Sequence, residues 1–211
     1  MKRRTAILIS GRGSNMEALI AAARDPAYPA EIVLVLSNRP DAPGLETARA
    51  AGIAAEAIDH RGFGRDRLAH EAAIDAALRA ADAEIVCLAG YMRLLTPFLV
   101  GAWHGRMLNI HPSLLPSFPG LHTHARALSA GVKLHGCTVH LVTAEMDSGP
   151  ILAQSAVPVL EGDTEDDLAA RVLRQEHAIY PSALAALAAK APAVSPGTCA
   201  CLANPLGWHP Q

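Results

Sequence analysis

Asn109 and His111 stand two residues apart in Leu108-Asn109-Ile110-His111-Pro112-Ser113, at the end of an apolar run that reads as a β-strand. Their side chains therefore share one face. A carboxamide donates to a developing oxyanion and an imidazole moves protons near neutral pH, a pair suited to acyl-group chemistry. A lone strand-end histidine is more often a satisfied structural residue, so a carboxylate has to join the pair before the chemical reading gains weight. Asp147, in Glu145-Met146-Asp147-Ser148-Gly149-Pro150 between two extended runs, is the candidate. Facing His111, it would orient the ring and favour the imidazolium. The same Asp-Ser-Gly-Pro string is also good turn chemistry with no need of catalysis. The sequence has no Gly-x-Ser-x-Gly elbow, and neither Cys87 nor Cys137 has a helix N-terminus or a histidine beside it to activate the thiol. Covalent acyl transfer is disfavoured.

A second constellation lies near the start. Ile7-Leu8-Ile9-Ser10-Gly11-Arg12-Gly13-Ser14-Asn15 reads as a strand, a glycine turn and a helix start. Backbone N–H groups and the helix dipole at such a turn favour an anion, which suggests a phosphate cradle. Met16 breaks the dinucleotide fingerprint and no Gly-Lys-Ser/Thr follows, so an ordinary serine-capped βα turn remains the alternative. Met92-Arg93-Leu94-Leu95, after another buried strand, could line a pocket for a flat heterocycle or could be the packing of a helix start. The histidines of His122-Thr123-His124 and of His135 to His140 match no standard zinc spacing, and no metal is expected.

The elements that must position these residues alternate short apolar runs with amphipathic helical segments, the pattern of a parallel sheet covered by helices. Strands are expected at Thr5–Ser10, Glu31–Ser37, Ala54–Ile58, Glu84–Ala89 and Arg106–Ile110, with helices at Ser14–Arg24, Gly44–Ala51 and Arg65–Ala81. A proline-rich loop, His111 to His122, follows the fifth strand at the sheet end where open α/β folds gather ligands. Two extended runs, Gly136–Thr143 and Pro150–Val159, then lead into a helix from Thr164 to about Lys190 that Pro181 should interrupt.

Eighteen Lys and Arg stand against 20 Asp and Glu in 211 residues, a formal charge of −2 that gives no basic footprint for nucleic acid. The apolar runs are far shorter than the roughly 20 residues that cross a bilayer, and the N-terminus lacks a signal-peptide pattern. Cys87 and Cys137 lie inside apolar runs, where a free cysteine packs as a small hydrophobe. Cys199-Ala200-Cys201 has no second pair for zinc. A cytoplasmic location is expected.

Taken together, Ser10-Gly11-Arg12-Gly13-Ser14-Asn15, Leu88-Ala89-Gly90-Tyr91-Met92-Arg93, Asn109-Ile110-His111-Pro112-Ser113-Leu114-Leu115-Pro116, Pro119-Gly120-Leu121-His122-Thr123-His124 and Gln175-Glu176-His177-Ala178-Ile179-Tyr180-Pro181 closely resemble the phosphoribosylglycinamide formyltransferases, a family of folate-dependent formyl-transfer enzymes. The resemblance spans about residues 5 to 190. It implies an α/β Rossmann-like formyltransferase fold: a mostly parallel twisted sheet with helices on both faces and an antiparallel addition in the C-terminal half. It implies a single domain over residues 1–190, with a phosphate-binding half (1–100) and a catalytic and folate-binding half (101–190). In purine biosynthesis such an enzyme passes the formyl group of 10-formyltetrahydrofolate directly to the amine of glycinamide ribonucleotide. Asn109, His111 and Asp147 fall on the family's catalytic positions. Gly13, Ser14, Asn15 and Glu176 fall on those that bind the ribonucleotide, and Met92, Arg93, Leu94, Leu95 and Asn109 on those that bind the folate. Arg67 best matches a further folate-binding arginine, with Arg65 the fallback. The partners implied are these small molecules, neither nucleic acid nor membrane, on a monomer or homodimer.

The nearest rivals in chemistry are formyltetrahydrofolate deformylase, which hands the formyl group to water, and methionyl-tRNA formyltransferase. The first family normally carries an extra N-terminal domain and the second a C-terminal tRNA-binding domain, neither expected here. A non-catalytic phosphate-binding module is the reading from another class, and the intact Asn109, His111 and Asp147 argue against it. Residues 191–211 depart from the family's usual closing hairpin and are expected to form a divergent, flexible tail.

Overall fold

The computed structural model describes residues 1–189, so the expectation for the tail lies outside the described residues. The chain begins β1 (Arg3–Ile9), α1 (Ser14–Ala23), β2 (Ala30–Ser37), α2 (Pro43–Ala50), β3 (Ala54–Ala57) and, after a short 3-10 turn, α3 (Arg67–Ala80) and β4 (Ile85–Leu88). It continues through α4 (Pro97–Ala102), β5 (Met107–His111), α5 (Thr123–Ser129), β6 (Leu134–Leu141), β7 (Ile151–Pro158) and α6 (Glu165–Ala188). One seven-stranded sheet, ordered β3-β2-β1-β4-β5-β6-β7, is parallel from β3 to β5 and antiparallel from β5 to β7.

The alternation of side chains along each strand divides the core in two. Ile7 and Ile9 of β1 join the cluster under α1, α2 and α6, whereas Ala6 and Leu8 join the one under α3 and α4. Burial on both faces is why β1 reads as an unbroken apolar run.

The boundaries follow from caps. Asp66 accepts from the backbone of Ala69 at 2.9 Å and starts α3 two residues later than the sequence suggests. Thr164 and Asp167 form a reciprocal capping box at the start of α6.

Pro181 does not interrupt α6, contrary to the sequence expectation. The lost backbone bond costs about 3 kcal/mol in a helix interior. Packing on both sides outweighs it here: Ile179 and Tyr180 before the proline and Ala183 and Leu184 after it are all buried. The short helices α4 and α5 are too brief to leave a periodic signature in the sequence.

Tyr180 ties this helix to the sheet beneath the site. Its hydroxyl, fully buried, lies within hydrogen-bond reach of the Leu88 carbonyl at 3.0 Å and the Leu108 carbonyl at 3.3 Å, at the ends of β4 and within β5. Tyr180→Phe should therefore lower folding stability by about 1–2 kcal/mol, the cost of leaving buried acceptors without their donor, as read from the midpoint of a urea titration.

Candidate active site

The antiparallel pairing of β5 with β6 places Asn109 opposite His140 and His111 opposite Thr138. All four side chains emerge from one face at the carboxyl end of β5, because parity along each strand fixes the face. The Asn109 amide donates to His140 Nε2 at 3.2 Å. His140 Nδ1 in turn lies 3.0 Å from the Leu141 carbonyl. The carbonyl can only accept, so Nδ1 carries the proton and Nε2 offers its lone pair to Asn109.

Asp147 closes the cluster. One carboxylate oxygen lies 3.5 Å from His111 Nδ1 and the other 3.9 Å from His140 Nε2. The backbone N–H of Gly120 donates to the same carboxylate at 2.8 Å, tying the Asp147 turn to the proline-rich loop. Asp147 adopts φ 54°, a left-handed conformation that asparagine and aspartate tolerate better than most residues. The other nitrogen of His111 faces the Phe118 carbonyl at 3.1 Å. Oxygen atoms thus stand near both ring nitrogens of His111.

Gly13 to Asn15 open α1. Gly13 caps the helix at φ 78°, and α2 abuts the turn so closely that a Cβ on Gly44 would stand 2.6 Å from Ile9 and 2.9 Å from two backbone oxygens. A cavity of about 430 Å³ lies above the turn, between Asn38 and Arg39 beyond β2 and Gly90 to Arg93 beyond β4. Arg12, Arg39 and Arg93 line it, an environment that suits an anion. Asn109, His111 and Asp147 are not part of that lining.

Asn15 also lines the cavity, and its side-chain amide donates to Glu176 of α6 at 2.6 Å. Burial raises the Glu176 carboxyl above the usual carboxylate range, partly opposed by this hydrogen bond.

Met92 to Leu95 form a loop rather than the start of a helix, with Met92 and Leu94 exposed. Met92 and Arg93 reach the cavity. The Arg67 guanidinium donates to the Leu94 carbonyl, which brings Arg67 onto this loop. Arg65 meets α3 through its carbonyl, which accepts from Arg67 N at 3.0 Å.

Sequence reasoning passed over His140, weighing it only as a metal ligand. The usable signal was parity: once Asn109 and His111 set the face of β5, the register of β6 selects Thr138 and His140. His124 and His135 bond each other at 3.2 Å behind the loop. Cys87 is buried, and burial pushes its thiol up to about 12, so it is no nucleophile at neutral pH.

The formyl transferase family model matches residues 3–184. The chain belongs to the formyl transferase family. Phosphoribosylglycinamide formyltransferase of Escherichia coli K12 is 52% identical over 180 residues, covering 83% of this chain and 82% of the relative. The crystal structure of the Brucella melitensis protein of that name superposes with a TM-score of 0.86 at 60% identity, covering 90% of this chain and 97% of the other. The trifunctional purine biosynthetic protein adenosine-3 of Bos taurus is 50% identical over 190 residues, of which the chain spans 19% of the length. Among the described residues no helix is long and apolar enough to cross a membrane.

The buried imidazoles give this formyl transferase family member an acid limit. Burial, then the neighbouring His124, pushes His135 down to about 4, and burial also lowers His140. The unfolded chain therefore takes up protons first as pH falls below the ordinary value of 6.5. Stability should be full above about pH 6.5 and decline towards pH 4, measured as falling urea midpoints, and His135→Gln should flatten that decline.

Proposed function

We propose that this chain transfers the formyl group of 10-formyltetrahydrofolate to the amine of glycinamide ribonucleotide, giving formylglycinamide ribonucleotide and tetrahydrofolate, a step of purine biosynthesis. The observation that carries the reading is the meeting of Asn109, His111 and Asp147, with 3.5 Å between His111 and the carboxylate. Relatives at 52% and 41% identity that bear this activity in their names support it.

In this reading residues 1–100 hold the phosphate and residues 101–190 carry catalysis and the folate, as halves of one domain. The phosphate sits on Gly13, Ser14 and Asn15, and Glu176 binds the ribose. The folate lies along Met92 to Leu95, with Arg67 and Asn109 as further contacts. A cytoplasmic location fits the substrates.

The lone pair of the glycinamide amine attacks the formyl carbon, and the carbonyl oxygen becomes an oxyanion. Asn109 donates to that oxygen through the amide proton that His140 leaves free. His111, charged beside Asp147, supplies the second donor. The intermediate collapses as the bond from the formyl carbon to the folate N10 breaks. The proton lost by the attacking amine passes through water to N10.

Incubation with 10-formyltetrahydrofolate should release tetrahydrofolate only when glycinamide ribonucleotide is present, and release without the acceptor would favour the deformylase. His111→Ala should fold normally and lower kcat by about 10²–10⁴. A fully active variant removes His111 from the mechanism. Ser14→Ala should raise the ribonucleotide KM about tenfold with little change in the folate KM, and an unaltered KM defeats the phosphate cradle.

A further inference from the structure

Glu71 is 2% exposed, and both of its carboxylate oxygens are engaged by one residue 25 positions away. The backbone N–H of Thr96 donates to one oxygen at 2.7 Å and the Thr96 hydroxyl to the other at 2.5 Å. A buried carboxylate is costly unless it is fully hydrogen-bonded, so the fold keeps it where two donors converge. Capping α4 does not account for it, because Thr96 already caps that helix by accepting from Phe98 N at 3.3 Å.

Glu71 does not act alone. Arg67, Glu71 and Asp75 stand four residues apart and so share one stripe of α3. Arg67 donates to the Leu94 carbonyl, Glu71 holds Thr96, and Asp75 accepts from the buried Trp103 indole at 2.9 Å. At its other end the loop is tied to the cradle turn, where Met92 N donates to the Ser10 hydroxyl at 2.8 Å. Between these ties the chain has neither helix nor strand. Tyr91 and Leu95 pack inward against the α3 and α4 cluster, leaving Met92 and Leu94 facing out at 72% and 64% exposure. Two large apolar side chains are thus held in water by polar bonds from elsewhere, an arrangement that favours a ligand with a flat apolar body over an empty surface.

We propose that Glu71 is a positioning residue of the formyl-donor site, seating the Met92–Leu95 loop so that Met92 and Leu94 receive the aromatic body of the folate. It touches no substrate and acts through Thr96. The proposal rests on the donor-site reading above.

The test compares Glu71→Ala, Glu71→Gln and Thr96→Val in the full chain, with 10-formyltetrahydrofolate as donor, reading steady-state KM for each substrate, hydrogen exchange of the Thr96 amide and the melting temperature. Glu71→Ala should raise the donor KM about tenfold, leave the ribonucleotide KM within about twofold, and speed exchange at Thr96. Glu71→Gln keeps an acceptor for the Thr96 N–H and should restore most of the donor KM. Thr96→Val should give a smaller rise in the same direction. An unchanged donor KM with faster Thr96 exchange overturns the positioning role while leaving the donor site standing. A lower melting temperature and kcat with both KM values unchanged overturns it in favour of a structural role. Wild-type protein that shows no binding in a titration with 10-formyltetrahydrofolate defeats the donor-site reading, and this proposal with it.

Discussion

The register between β5 and β6 is the constraint on which the rest of the site depends. A shift of one residue would turn Asn109 and His111 to the opposite face of the sheet from Thr138 and His140. Thr138 pins the pairing: its hydroxyl donates to the Ser113 carbonyl at 2.6 Å and accepts from Leu115 N and from the Gln154 amide, each at 3.0 Å. One buried hydroxyl thereby joins β6, β7 and the beginning of the proline-rich loop. Gly136 pins the other edge, since a Cβ there would lie 2.0 Å from the Ser155 carbonyl oxygen of β7. No side chain fits that approach.

The same closeness governs Asp147. The turn that carries it returns through Gly149, where a Cβ would stand 1.7 Å from the Leu141 carbonyl oxygen, and continues into β7. A wider turn would carry the carboxylate away from His111, because Ser148 is the only residue between Asp147 and that contact. The left-handed conformation of Asp147 is therefore a consequence of backbone packing at Gly149 together with the Gly120 hydrogen bond. Strain held in place by its surroundings at a functional position is a recurrent arrangement.

How far the sequence displays this depends on the range of each interaction. β1, β2, β4 and β5 are buried apolar runs and declare themselves. β3, whose residues Ala54–Ala57 are mostly exposed, is legible mainly by its place in the alternation. Asn109 and His111 share a face by parity alone, a property of two residues on one strand. Asp147 could be read only as a candidate carboxylate with turn chemistry as its rival, because nothing local says that a turn 36 residues later folds back onto that strand, and the family resemblance was what singled it out. His140 stayed hidden for the same reason. Its neighbour is fixed by a cross-strand register, and the sequence of β6 without that register offers only histidines at suggestive spacing. Glu71 is a further case, since an acidic residue on an amphipathic helix reads as a solvated face until Thr96 is known to lie over it. Pro181 failed in the opposite sense: a strong local rule yielded to burial on both sides of it.

The two halves of the proposed reaction meet through α6. Asn15 at the start of α1 donates to Glu176, and one turn later Tyr180 reaches the Leu108 carbonyl, one residue before Asn109. The cradle and the catalytic strand are therefore referenced to one rigid helix, and a displacement of either would break a buried hydrogen bond. Glu176 is buried with the Asn15 amide as its side-chain partner, and the side-chain oxygen Oδ1 of Asn15 is buried with no hydrogen-bond partner. Polar groups left short of partners in a core cost about 1–3 kcal/mol each. The Asn15 side-chain oxygen is such a group, held beside Glu176 and able to accept from a hydroxyl donor. In the proposed reading a ribose hydroxyl is a donor of the kind that this oxygen lacks, which is why the ribonucleotide is placed beside Asn15 and Glu176 rather than elsewhere along α6.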